Sequence, residues 1–182
     1  MSEDPDARAL LDATRHLADC VWRSHAEPEV RREVAAEVRA LAARLGPFEA
    51  LAPVGTPYGR PLPGRGHPLL PPMQLSARGR RMTGSVAFTS AHAGAGDAVH
   101  GGHVTLLFDE LLGGVAASVA QSRTAWLHVD YRSLTPVGAD LTIEAWLDRV
   151  EGRKVHVKGR LLDRERVCAD AEALFIAVAD WD

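Results

Sequence analysis

Cysteine is scarce in this sequence: Cys20 and Cys168 are the only two among 182 residues. They stand far apart and neither belongs to a CxxC pair, which argues against a disulfide scaffold, a zinc knuckle and a dithiol redox motif. Two isolated thiols fit a reducing compartment best. We therefore expect a cytoplasmic protein.

An excess of one charge and long apolar runs are also lacking. The formal net charge is -3, so the strongly basic domain of a typical nucleic-acid binder is missing. No stretch approaches the roughly 18 consecutive apolar residues of a membrane-spanning helix. The acidic start, MSEDPDAR, resembles neither a secretory signal nor a transit peptide. We expect no nucleic-acid partner and no membrane span.

The N-terminal part of the chain predicts two amphipathic helices. Helix-start residues and apolar residues at steps of three and four predict helices over 4–25 and 28–45. Together they predict a helical hairpin that forms an N-terminal extension, residues 1–45. Its apolar stripe is too narrow to be a core, so it must be covered by the rest of the chain or by another subunit.

A Pro/Gly-rich loop follows over residues 46–75. Eight prolines and five glycines between positions 46 and 72 exclude a helix or a central strand there. Loops of this length are commonly lids, binding loops or linkers.

The remaining segment, 76–182, predicts one α+β domain. Apolar residues alternate along most of it, as in half-buried strands, and one long apolar helix interrupts the pattern. The predicted order is a strand over 80–90, a helix over 102–121, and strands near 123–134, 140–151, 153–163 and 166–179. Short turns between the last four strands predict an antiparallel meander.

Two adjacent acids interrupt the predicted helix, which is otherwise apolar almost all round. Asp109 and Glu110 are about 100° apart on a helical wheel, so they face different surroundings. Glu110 lies on the most polar line of the helix, which predicts a solvated face. Asp109 lies among small and apolar residues, where an unpaired carboxylate would cost several kcal/mol. Asp109 is therefore either a functional group or a carboxylate with a structural partner.

A His-Gly-Gly turn, His100-Gly101-Gly102, stands at the start of this helix. Backbone N–H groups at a helix start have no intrahelical acceptor, and glycines allow a ligand to approach them closely. Alone, the turn is a weak signal. Combined with an acid seven residues beyond Gly102, it indicates donors for a carbonyl oxygen and a nucleophile or base.

Four segments carry a resemblance to a known family: VHGGHVTLLFDELLG, TAWLHVDYRSLTPVG, LDRVEGRKVHVKGRL and CADAEALFIAV. In order and spacing they resemble the hotdog-fold acyl-CoA thioesterases of the PaaI-like branch, which includes the mitochondrial thioesterase superfamily proteins. The resemblance runs from Gly84 to Val178. It implies a sheet wrapped around one long helix, subunits that pair into a homodimer or homotetramer, and hydrolysis of fatty acyl-CoA or aryl-CoA thioesters at the dimer interface.

The resemblance also implies roles for individual residues. Asp109 matches the catalytic acid, as nucleophile or general base. Gly102 matches the backbone donor to the thioester oxygen, and His100 opens that turn. Thr124 matches a threonine that positions the attacking group across the subunit boundary. The substrate-binding candidates are Gly101, Glu110, Arg153 and Lys154, of which the last two could meet coenzyme A phosphates or form a solvated turn.

Other interpretations remain at this stage. A hydratase of the same fold would pair its Asp with a His five positions later, where this chain has Gly114. A non-catalytic acyl-CoA sensor would need the apolar pocket without the acid. His100 and His103 lack further ligands at metal spacing, so we expect no metal and no cofactor beyond the coenzyme A of the substrate. We also hypothesise that the N-terminal helices and the loop form a lid over the acyl chain.

Overall fold

The computed structural model describes residues 4–48 and 62–178. Residues 49–61 of the predicted loop lie outside that range. The helices are α1 (Pro5–Arg23), α2 (Pro28–Leu45) and α3 (Gly101–Ala117), and the strands are β1 (Gln74–Arg78), β2 (Arg81–Ala87), β3 (Ser122–Tyr131), β4 (Asp140–Glu151), β5 (Lys154–Asp163) and β6 (Arg166–Ala177). Three short 3₁₀ turns cover Gly46–Phe48, Pro63–Gly66 and Ser90–His92.

The six strands form one antiparallel sheet in the order β1-β2-β4-β5-β6-β3. The α+β fold class is confirmed, but the four-strand meander is wrong in one respect. β4, β5 and β6 do follow one another, whereas β3 pairs with β6 at the far edge. The connection from β3 to β4 spans residues 132–139, which is long enough for the chain to cross from the β3 edge to β4, beyond β6 and β5. β1 is an additional strand, and it begins before the predicted boundary at residue 76.

Helix α3 packs on one face of the sheet, against strands β2 to β6, and fills the core. Its length is nearly as predicted, and one side of it is fully buried, including Val104, Leu107, Phe108, Leu111 and Leu112. This follows from the apolar sequence, because a helix that is apolar almost all round must be enclosed. The sheet therefore covers most of α3 and leaves one narrow strip of it at the surface.

Gly159 on β5 allows α3 to approach the sheet closely. A Cβ atom at this position would lie 2.9 Å from the Glu144 carbonyl oxygen and 2.9 Å from Leu112 Cδ2. The carbonyl belongs to the neighbouring strand and cannot move without disturbing the ladder. The absence of a side chain at this point thus sets the depth of α3.

We predict that Gly159→Ala lowers the free energy of unfolding by about 1–3 kcal/mol, as is usual when an atom is forced into a filled core. Urea unfolding measures this. Gly46→Ala is the matched control, because a Cβ there meets nothing within 4 Å. Equal stability of the two variants would contradict the close approach.

The two N-terminal helices behave differently from each other. Asp4 is the helix-start residue that caps α1, accepting from the amides of Asp6 and Ala7 at 3.0 and 3.1 Å. α1 packs on the 3₁₀ turns Pro63–Gly66 and Ser90–His92. α2 buries none of its residues and does not pack along α1 as the helical hairpin predicted. No helix within the described residues is long and apolar enough to cross a membrane.

Two side chains of α1 fasten it to the domain. One Arg15 nitrogen, Nη2, donates to the carbonyl oxygens of Pro63, His67 and Leu70, each at 3.1 Å. Asp19 accepts from the Ser90 hydroxyl and the Ala91 amide at 2.9 and 2.7 Å. Burial alone would raise the pKa of Asp19, but these hydrogen bonds outweigh it and the pKa is lowered. α1 therefore holds both turns against the domain, and His92 of the second turn meets the His103 ring near the start of α3.

Candidate functional site

His100 caps the N-terminus of α3 with its own side chain. Its Nδ1 accepts from the Gly102 amide at 3.0 Å, so the ring nitrogen that accepts is unprotonated. The predicted backbone donor, Gly102, is thus already hydrogen-bonded in the free protein. A ligand oxygen can reach this amide only if the imidazole of His100 turns away.

Tyr131, at the end of β3, also contacts this turn. Its hydroxyl donates to the Gly101 carbonyl oxygen at 2.9 Å and lies 2.8 Å from the Thr105 hydroxyl. The phenol ring lies against Gly101 so closely that a Cβ there would be 3.2 Å from the Tyr131 hydroxyl oxygen. A side chain at position 101 would therefore need the Tyr131 ring to shift by a few tenths of an ångström.

A cavity of about 510 Å³ opens beside this turn. Its lining is mostly apolar and includes Val99, Gly101, Val104, Tyr131 and Leu134. A cavity of this size and composition, next to helix-start amides, is suited to a ligand with an apolar body and a polar group.

Three histidine rings meet behind the turn. The rings of His92 and His103 lie 4.9 Å apart, and those of His100 and His103 lie 6.2 Å apart. Burial lowers the pKa of His92, and His103 lowers it further; burial and His100 lower the pKa of His103. Both rings therefore favour the neutral form. Within residues 4–48 and 62–178, no three His, Cys, Asp or Glu side chains are arranged to hold a metal ion.

Asp109 lies on the partly exposed strip of α3, two turns beyond Gly102. Its Oδ1 accepts a hydrogen bond of 3.0 Å from the Thr124 hydroxyl at the start of β3. Both residues belong to the same chain, whereas the sequence resemblance implied a contact across the subunit boundary. The second carboxylate oxygen of Asp109 has no hydrogen bond among the described residues.

A β-bulge brings Thr124 to this carboxylate. Thr124 pairs with Phe175 and Trp126 pairs with Leu174, which leaves Ala125 as the extra residue. In an unbroken strand, Thr124 and Tyr131 would point to opposite faces, because side chains alternate. The bulge shifts the alternation by one, so both residues face α3.

Glu110 is not on a solvated face, so that part of the sequence interpretation is wrong. Its side chain is 15% exposed, and its oxygens lie 2.7 Å from Arg65 Nε and 2.9 Å from Arg65 Nη2. Arg65 comes from the Pro/Gly-rich loop and has a left-handed backbone conformation, with φ of +59°. The two adjacent acids are thus separated: Glu110 fastens the loop, and Asp109 faces the exposed strip.

We predict that Arg65→Gln lowers the free energy of unfolding by about 1–2 kcal/mol. It removes a two-pronged, charge-assisted contact to the half-enclosed Glu110 carboxylate. Urea unfolding tests this, with Arg164→Gln as the control, since Arg164 is exposed and also has a positive φ. Equal effects of the two changes would mean that the ion pair contributes nothing to stability.

The candidate basic residues lie at the end of the sheet where β3 begins. Arg153 Nε donates to the Ala177 carbonyl at 2.9 Å, so this side chain also fastens the end of β6. Lys154 and Arg123 both pair with Ile176, one from each neighbouring strand. Strand spacing places Lys154 and Arg123 about 10 Å apart. Arg123 directly precedes Thr124, so strand alternation points its side chain, and that of Lys154 in the same cross-strand row, to the face of the sheet opposite α3.

Sequence reasoning missed three residues of this region: Arg65, Tyr131 and Arg123. Arg65 stands between two glycines in a loop, and nothing in the sequence shows which acid it reaches. The alternating pattern around Tyr131 predicts a strand but not its contact with the His-Gly-Gly turn. The position of Arg123 in the same row as Lys154 follows only from the pairing of β3 with β6. The adjacent position of Arg123 and Thr124 was the one available signal.

Comparison with known proteins finds similarity over part of this chain. Residues 96–169 match the thioesterase superfamily. Over 80 residues the chain is 31% identical to acyl-coenzyme A thioesterase THEM4 of Mus musculus, a match that covers 43% of this chain and 35% of that protein. The aligned region thus spans about a third of the length of this curated relative.

Solved structures resemble a larger part of the chain. The crystal structure of a thioesterase superfamily protein is 28% identical, with a TM-score of 0.79, and the match covers 93% of this chain and 90% of that one. A hypothetical thioesterase with coenzyme A from Streptococcus pneumoniae TIGR4 is 14% identical, with a TM-score of 0.56 over 60% of this chain and 88% of that one, and so shares the fold.

Proposed function

We propose that this chain is a hotdog-fold thioesterase that hydrolyses an acyl-CoA or aryl-CoA thioester to the free acid and coenzyme A, on the premise that residues 96–169 match the thioesterase superfamily and that the solved thioesterase superfamily structure shares the fold. The observation that carries the proposal is the Asp109 carboxylate, held by the Thr124 hydroxyl on the exposed strip of α3. A pocket that only bound an apolar ligand would have no need of this acid.

Asp109 supplies the attacking group. In one route its carboxylate attacks the thioester carbonyl carbon, the C–S bond breaks, and water then hydrolyses the resulting anhydride. In the other route Asp109 takes a proton from a water that attacks the carbonyl directly. Both routes release the coenzyme A thiolate, which takes up a proton. In both, negative charge develops on the carbonyl oxygen and requires a hydrogen-bond donor.

The Gly102 amide is our candidate for that donor, with the Gly101 amide beside it. The substrate oxygen would replace His100 Nδ1 as the acceptor of the Gly102 amide. Gly102 and Asp109 of one chain are seven residues apart on α3, about 10 Å along its axis. Both must lie within about 3 Å of the reacting atoms. One chain is therefore not sufficient, and we propose that a second chain provides the turn.

The exposed edge of β3 provides the means of pairing. Its other edge bonds to β6, and among the described strands none covers this one. An open edge of ten residues tends to pair with another chain. A homodimer built along β3 would place the α3 helices of two chains side by side, so that each Asp109 can meet the other chain's His-Gly-Gly turn.

Coenzyme A carries phosphate groups, and Arg153, Lys154 and Arg123 are our candidates to meet them. Arg153, Lys154 and Arg123 lie at the same end of the sheet as the proposed reaction centre. The Streptococcus pneumoniae thioesterase of the same fold was solved with coenzyme A, which is consistent with such a substrate here.

We predict that Asp109→Asn lowers kcat/KM for acyl-CoA hydrolysis by about 10²–10⁴-fold, the usual contribution of a positioned base or nucleophile. Glu110→Gln removes the same charge one residue later, and we expect it to reduce stability while turnover persists. Thiol release from short, medium and long acyl-CoA and aryl-CoA esters measures this and also identifies the preferred acyl group.

Two results would oppose this assignment. Full turnover by a folded Asp109→Asn protein would remove Asp109 from the reaction, and loss of turnover only in Glu110→Gln would transfer the role to Glu110. Binding of acyl-CoA by the wild type with no thiol released over hours would favour the sensor function instead.

Thr124 provides a second, independent test. We predict that Thr124→Val lowers kcat by about tenfold or more, because a hydrogen bond to a charged group contributes about 1.5–3 kcal/mol. Thr124→Ser keeps the hydroxyl and should keep most of the activity. If the valine and serine variants have equal kcat, the hydroxyl has no part in positioning Asp109.

A further inference from the structure

The apolar stripe of α2 has no cover within the described residues. Val34 and Val38 are 37% exposed, and Leu41 and Leu45 are 52% exposed. Nine of the fifteen exposed large apolar side chains found in the described part of the chain lie between residues 10 and 48. Exposed apolar residues are common singly, but a continuous stripe of them marks an interaction surface.

Helix α2 makes few contacts with the rest of the described chain, so its apolar stripe is not explained by packing within one chain. The helix buries none of its 18 residues, and among the described elements its extensive contact is with the short turn Gly46–Phe48 that directly follows it. Most helical stability in proteins comes from packing of an apolar face, and short isolated helices are marginal in water. A stable α2 therefore requires a partner for its stripe.

The spacing of the stripe specifies what kind of partner fits. Val34, Val38, Leu41 and Leu45 are separated by four, three and four residues. The positions of the seven-residue coiled-coil repeat are lettered a to g, and its apolar residues occupy a and d. The spacing here places Val34 and Leu41 at d and Val38 and Leu45 at a, where each apolar residue inserts between residues of a facing helix. The flanking e positions are Ala35 and Ala42, small enough to allow close approach.

Charge then selects the orientation. The g positions that flank the stripe are Glu37 and Arg44. In a parallel pair, g residues face e residues, which here are alanines. In an antiparallel pair, g residues face g residues. When Val38 lies opposite Leu41 of the second copy, Glu37 lies next to Arg44 of the second copy. The two-fold symmetry of the pair repeats this contact, so it occurs twice.

We propose that α2 is a self-association helix that pairs antiparallel with α2 of a second copy of this chain, at an interface separate from the β3 edge. The polar face of α2 carries four arginines and three glutamates. This near balance suits a protein partner better than an anionic membrane surface, which attracts strongly basic helices.

The experiment compares the molar masses of full-length variants by light scattering after size exclusion. Val38→Glu/Leu41→Glu introduces two charges into the stripe and should halve the mass of the wild-type assembly. Ala36→Glu/Ala43→Glu introduces the same charges on the opposite side of α2 and should leave the mass unchanged. Circular dichroism and unfolding confirm that the sheet domain is intact in each, as expected, since the extensive contact of α2 is with the turn Gly46–Phe48.

Orientation is tested by oxidative cross-linking in a Cys20→Ser background. Val38→Cys/Leu41→Cys should form a disulfide-linked dimer readily, and Val38→Cys alone far more slowly. Equal cross-linking by the single variant would indicate a parallel pair and overturn the orientation. Unchanged mass of Val38→Glu/Leu41→Glu would overturn the proposal, as would wild-type binding to anionic vesicles that this variant loses without any change in mass.

Discussion

The enclosure of α3 by the sheet is the constraint on which the rest of this structure depends. Because the helix is apolar almost all round, its burial supplies much of the core, and Gly159 allows it to lie deep against β5. Only a narrow strip of α3 then remains partly exposed. Any polar residue on that helix must either find a partner or lie on the strip, so the position of Asp109 follows from packing.

Electrostatic pairing explains why two adjacent acids can have different roles. Glu110 is held by Arg65, and the same loop is held by Arg15 from α1. The N-terminal segment is thus attached to α3 at Glu110, and Asp109, on a different face of the helix, contacts Thr124. The ion pair occupies Glu110 and leaves the neighbouring Asp109 carboxylate with a single hydrogen bond among the described residues, from the Thr124 hydroxyl.

Local patterns predicted the local structure well. The ends of α1, α2 and β4 agree with the apolar period and the capping residues, and the two-fold period of 140–151 identified a strand correctly. The destination of β3 could not be predicted, because pairing with β6 depends on contacts between residues about fifty positions apart. The apparent polar line through Glu110 failed for a similar reason: its counter-charge, Arg65, is 45 residues away in a loop. The helical wheel singled out Asp109, but only the family resemblance indicated that Thr124 acts with it.

The bulge at Ala125 makes the contact between Thr124 and Asp109 sensitive to chain length as well as to residue identity. Side chains on a strand alternate, so one extra residue decides whether a hydroxyl at position 124 faces the helix or the opposite side of the sheet. Two relatives could therefore carry the same threonine before the same strand and differ in whether it reaches the carboxylate. Alignment of this segment among relatives has to allow a single-residue gap, and a threonine matched without it would be assigned to the wrong face.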